Sequence, residues 1–225
     1  MPKKRLDQYK GRLDPKQVAQ GINAARANAQ KLADEAASLL KHGRHALAAA
    51  LAALAIEEAG KVGILRSLAL AETKQEAAEH WKKYRTHTKK STMWPLPGIL
   101  DKPSPRREEV LALFDRDADH AYRLDHMKQL GFYTDCLGEG EWSSPDVAIS
   151  RSQAEELVRT AVDLANFPEV TDTEIELWVK QTRPVSKADA KAQGEALRAW
   201  HAEMPRLGLA PPGDNPIDEL GRRLV

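Results

Sequence analysis

The chain of 225 residues has a single cysteine, Cys136. An internal disulfide is therefore impossible, and metal sites built on several cysteines are excluded. Neither sign of charge prevails: 34 Lys plus Arg stand against 33 Asp plus Glu, for a net charge of +1. That balance gives no global electrostatic case for nucleic acid, although it leaves room for a local basic patch. No apolar run is long enough to span a membrane; the longest, residues 46–56, is mostly alanine. The start, "MPKKRLDQYK", lacks the apolar stretch of a secretory signal. There is no Gly-rich phosphate loop, nucleophile elbow, CxxC or H-E-x-x-H. These absences lead us to expect a cytoplasmic protein that neither enters nor coats a membrane.

What is present is abundant Ala, Leu, Glu, Lys and Arg, with only three Phe and four Tyr, a composition that favours an all-α fold. Asp14-Pro15 reads as an N-cap followed by a first-turn proline. The helix it opens is expected to reach residue 41, with Ile22, Ala25, Ala29, Leu32, Ala36 and Leu39 as its stripe. Gly43 ends it. A second helix is expected over 44–71 and, being apolar all round in its first half, in the centre of a bundle. A third is expected over 74–90, striped by Ala77, Trp81, Tyr84 and Thr88. "WPLPG" and "KPSP" then break the chain. A fourth helix is expected over 107–130, and residues 132–149 as an ordered loop with no convincing strand. Ser150 with Gln153 and Thr171 with Glu174 have the spacing of capping boxes for a fifth and a sixth helix. Ser186 is expected to open a seventh that ends near Met204. The domain reading is an arm (1–13), a helical bundle (14–166) and a C-terminal helical extension with a loosely held tail (167–225).

The stretch that asks for an explanation is "IEEAGK", residues 56–61, because it places charge directly after the apolar run. Buried charge is costly unless paired. On a helical wheel with Leu47 as zero, Leu51, Leu54, Glu58, Val62 and Leu65 fall within roughly 60° of it. Glu58 is thus expected in mid-stripe, and Glu57 on the flank, able to reach Lys61. One reading is structural: a Glu57–Lys61 surface pair, with Glu58 tied to a cation of another helix. The other is a working site in an inter-helix pocket. Gly60 in mid-helix costs about 1 kcal/mol relative to Ala, which close approach of a neighbouring helix would explain.

The third helix offers partners. "HWKKYRTHTKK", residues 80–90, sets His80, Tyr84 and His87 along one edge, with Lys83 and Lys90 flanking His87. This is either a solvated basic face or a carboxylate–imidazole pair of Glu58 and His87 ringed by Lys61, Arg85 and Lys90. Such a cluster suits phosphate binding or proton transfer. No metal is expected: His80 and His87 lie two turns apart, about 10 Å along the axis. "DRDADH", residues 115–120, opens like a calcium loop but has His120 where that loop needs Gly and His126 where it needs Glu. It reads better as a polar helix face.

Three segments in order carry a resemblance: "GRHALAAALAALAIEEAGK" (43–61), "HWKKYRTHTKK" (80–90) and "HMKQLGFYTDC" (126–136). They resemble the AbiV-type abortive-infection family of bacterial phage-defence proteins. The matching positions are Glu57, Glu58, Gly60 and Lys61, then His87 and Lys90, then Lys128, Gly131, Tyr133 and Asp135. The resemblance covers about residues 15–165. It implies an all-α, HEPN-like helical bundle, here with extra C-terminal helices, often a homodimer and without a cofactor. HEPN ribonucleases typically carry R-x4–6-H. Here Arg85 and His87 are too close, Arg116 and His120 have three residues between them, and Arg123 and His126 two. The resemblance therefore implies defence through binding, by interference with translation or phage development, with a phage protein or RNA and the translation machinery as partners. The alternatives are a metal-independent RNase and a helical interaction module without catalysis. The candidate catalytic residues are His87, Glu58, Lys61 and Lys90. The candidate substrate-binding residues are Glu57, Arg85, His80, Lys128, Tyr133 and Asp135.

Overall fold

The structure, a computed structural model, describes residues 8–115, 117–185, 189–213 and 218. Eleven helices and one two-stranded hairpin are present among the described residues. Helix α1 (Pro15–Lys41) starts at Asp14, whose side chain accepts from the Gln17 amide while Gln17 caps it in return. Its stripe is interior: Ile22, Ala25, Ala29 and Ala36 are buried, and Leu32 and Leu39 pack against them. Helix α2 (His45–Ala69) runs through the middle of the molecule, as its all-round apolarity predicts.

The faces of α2 differ from the wheel anchored on Leu47. Leu47 is 40 % exposed, and Leu51, Leu54 and Glu58 are only partly buried. The buried faces are made of alanine: Ala46, Ala48, Ala49, Ala50, Ala52, Ala53 and Ala55 are at or near zero exposure. Small side chains let α1, helix α7 (His120–Phe132) and helix α9 (Arg151–Ala165) crowd the α2 backbone. In the first half of α2, Leu47, Leu51 and Leu54 stay on the more open side, whereas Leu65 and Leu68 further along are buried. Gly131 shows how close this is, since a Cβ there would stand 2.7 Å from the Ala46 carbonyl oxygen and 2.9 Å from the Ala50 methyl.

Two helices expected as single pieces are broken. The third becomes α3 (Lys74–Tyr84) and the one-turn α4 (His87–Lys90), separated by Arg85 and an extended Thr86 whose hydroxyl turns back to the Lys82 carbonyl. The fourth becomes α6 (Arg107–Ala112) and α7, after a short α5 (Leu96–Leu100). The aspartates of "DRDADH" lie in the break, not on a helix face; Asp115 and Asp119 would have stood at i,i+4, where like charges repel. Arg116 lies outside the described residues. The expected loop 132–149 contains a hairpin, β1 (Asp135–Leu137) paired antiparallel with β2 (Glu141–Ser143), and a one-turn α8 (Pro145–Ala148).

Ser150 and Gln153 form the expected reciprocal cap of α9. Thr171 caps α10 (Asp172–Thr182), but Glu174 does not return the bond; its carboxylate is taken by Arg66 of α2. Helix α11 (Ala190–Arg206) is capped by Asp189, while Ser186 lies outside the described residues.

Residues beyond 166 share a core with those before it. Val170 and Ile175 are buried with Val18, Ile22, Leu65, Leu68 and Ala77. The Asn23 amide both donates to the Val170 carbonyl (2.8 Å) and accepts from its N–H (2.9 Å). The Arg66 guanidinium lies 5.1 Å from the Trp178 ring centre and 5.0 Å from that of Trp200. A chain ending at residue 166 uncovers this core, at about 1.5–3 kcal/mol for each large side chain left without cover. It is expected to lose its cooperative urea transition, followed by circular dichroism, whereas one ending at 206 keeps it.

Candidate functional site

Glu57 leaves the buried side of α2 in its last alanine-rich turn and is 3 % exposed. A carboxylate at such depth needs partners, and three cationic or hydrogen-bonding groups meet it. Lys128 of α7 lies 2.5 Å from Oε1. Lys90 of α4 lies 3.2 Å from Oε2, and His87 Nδ1 2.6 Å from Oε2. Lys90 and Lys128 are themselves buried. Lys128 also pairs with Asp125, one turn earlier on α7, at 2.6 Å.

Backbone proximity makes this convergence possible. A Cβ on Gly60 would lie 1.7 Å from the Lys90 carbonyl oxygen. Only glycine lets α4 settle on α2, and this contact sets Lys90 and His87 beside Glu57. The segment after α4 is held to α7 from the other side. His120 Nε2 is 2.7 Å from the Thr92 carbonyl oxygen, and Trp94 Nε1 donates to the His120 carbonyl (2.9 Å). Buried Ser91 donates to the His87 carbonyl at 3.2 Å.

The electrostatics follow from the geometry. Burial on its own would raise the Glu57 pKa, but the hydrogen bonds from Lys128 and His87 and the charges of Lys90 and Lys128 outweigh it, and the carboxyl lies below its ordinary 4.5. Burial would likewise lower Lys128, yet its bonds to Asp125 and Glu57 hold it above its ordinary 10.5. An ionised carboxylate only accepts, so His87 Nδ1 carries the proton donated to Glu57. Nε2 is the ring nitrogen left outside the cluster. It has no partner among the described residues, and the His87 side chain is 58 % exposed.

The sequence-predicted residues divide into two groups. Glu57, His87, Lys90 and Lys128 come together. Glu58 does not join them: it pairs with Lys61 in the next turn, and Lys61 lies 5.0 Å from the centre of the Tyr84 ring. The two glutamates thus exchange the roles read from the wheel, because the alanine face rather than the leucine face is the interior. Arg85 turns away, donating to the Tyr9 carbonyl and lying over Trp81. His80 lines a separate cavity of about 520 Å³ with Trp178 and Arg183. Tyr133 and Asp135 are exposed beyond the end of α7, and the Asp135 carboxylate accepts from the Cys136 N–H. Asp125 was not singled out in sequence; its i,i+3 spacing to Lys128 was the available signal.

The family model for AbiV matches residues 17–166, two thirds of the chain. The chain belongs to the AbiV family, and membership supports a role in abortive infection, a defence against phage. No curated protein and no solved structure matches it.

The two glutamates should separate cleanly in unfolding. Glu57→Gln leaves two buried ammonium groups short of a counter-charge and is expected to cost about 3–5 kcal/mol. Glu58→Gln breaks a single pair, with side chains 18 % and 15 % exposed, and is expected to cost less, about 1–2 kcal/mol. Urea midpoints at pH 7 distinguish them. Because Glu57 is depressed in the folded state, its contribution is complete above pH 4.5 and is lost as the pH falls through the lower folded value. Lys128, being raised, contributes fully below pH 10.5 and loses that contribution only at higher pH. Acidification below 4.5 should therefore destabilise the wild type more steeply than Glu57→Gln.

Proposed function

We propose that this AbiV-family protein acts in phage defence by binding, interfering with translation or phage development in the infected cell. Its partner on this reading is a phage protein or a component of the translation machinery, and the working form is a cytoplasmic homodimer. The observation that carries the choice is the commitment of the buried lysines. RNA cleavage needs a base for the 2′-hydroxyl, an acid for the leaving oxygen and cations for the phosphorane. Lys90 and Lys128 are 8 % and 6 % exposed and spent on Glu57 and Asp125. They hold His87 in place instead of facing a ligand.

A second reading, a metal-independent RNase, is favoured by one feature. His87 has its Nδ1 on a buried carboxylate and its Nε2 at the surface, the arrangement that prepares an imidazole to take a proton.

Two measurements decide between them. Purified protein incubated with total RNA and with tRNA, with and without EDTA, is expected to leave the RNA intact. EDTA-resistant cleavage that disappears in His87→Ala would promote the RNase reading. In cells challenged with phage, His87→Ala at equal protein level is expected to reduce protection without unfolding the chain. Full protection by that variant would remove His87 from the binding surface.

A further inference from the structure

Glu57, His87 and Asp125 each present a ligand-type atom, and these atoms lie within 4.8 Å of one another. Two carboxylates and an imidazole, drawn from three helices, form a donor set that suits zinc and its neighbours among the transition metals. The Lys128 Nζ stands among them: 2.5 Å from Glu57 Oε1, 2.6 Å from Asp125 Oδ1 and 3.4 Å from His87 Nδ1. Its side chain is 6 % exposed, so the charge cannot be shared with water.

We propose that Lys128 is a tethered cation held by Glu57 and Asp125 at a place where these carboxylates and His87 could together hold a divalent metal, so that the chain supplies the charge such a metal would otherwise bring. The ammonium and a metal exclude each other there. Charge balance agrees: two carboxylates face the two buried ammonium groups of Lys128 and Lys90. Removing Lys128 leaves one uncompensated negative charge and three donors around the space its head group filled. A metal needs oxygen and nitrogen ligands at about 2.0–2.2 Å, which asks for a contraction of a few tenths of an ångström at the carboxylates and about 1.3 Å at the imidazole. A metal bound at Nδ1 would displace the hydrogen bond between His87 and Glu57, so the choice of cation also changes what His87 is bonded to.

The test is zinc titration of Lys128→Ala and wild type by calorimetry, with the visible spectrum of added Co²⁺ reporting the ligand set. The variant is expected to bind one Zn²⁺ per chain at least about tenfold more tightly than the wild type. Lys128→Ala combined with Asp125→Asn or with His87→Ala is expected to lose that gain. Equal zinc affinity in wild type and variant overturns the proposal, and so does a gain that survives both second substitutions. If Lys128→Ala does not fold alone, refolding is measured with Zn²⁺, Co²⁺ or Mn²⁺ present. Recovery with any of them supports the site, and failure with all three overturns it.

Discussion

The structure turns on one buried negative charge. Glu57 lies on the inner face of α2, where a lone carboxylate would be untenable. Each of its contacts ties another element to α2: Lys128 brings α7, and Lys90 and His87 bring α4. The cluster therefore fixes how three helices sit together, at positions where the surrounding alanines offer little to specify register. A core of small side chains packs equally well under small slips, but an ion cluster does not. That division of labour, closeness from alanine and glycine and uniqueness from charge, makes the site and the fold a single problem in this protein.

The same economy decides which side of α2 faces inward. Large apolar residues are commonly taken as the interior, yet in the first half of α2 Leu47, Leu51 and Leu54 lie on the more open flank and the alanines inside. Helices that meet through alanine and glycine approach until backbone touches backbone, as Gly60 against Lys90 and Gly131 against Ala46 show. Close approach excludes water from the polar groups between them. The ion pairs at Glu57 consequently operate in a weakly screened setting, unlike the exposed pairs elsewhere, such as Arg151 with Glu155.

Much of this was legible in the sequence. The all-α class, the central place of α2, the stripe of α1, the N-cap at Asp14, the reciprocal cap at Ser150, and the AbiV family all follow from composition, periodicity and motif order. So did the convergence of the residue 57–61 motif with the His87 segment, though on the wrong glutamate. A helical wheel ranks faces by hydrophobicity, and in a helix of alanine and leucine that ranking points to the bulkier face instead of the more tightly packed one. The breaks at Thr86 and between residues 112 and 120 were missed because helix propensity is local, while the α4 turn is set by contact with Gly60 across the bundle. The hairpin was missed because its strands are three residues each and exposed along most of their length, without the alternation that marks a buried face.

The clasp at Arg66 gives the molecule an uneven response to ionic strength. The guanidinium lies against two indole rings and a buried carboxylate, out of reach of most counter-ions. The neighbouring pair of Arg26 and Glu169, whose carboxylate side is 77 % exposed, belongs to the solvent and fades as salt is added. Rising salt thus weakens the Arg26–Glu169 pair more than the Arg66 fastening, where apolar rings and a buried carboxylate keep the charge from solvent.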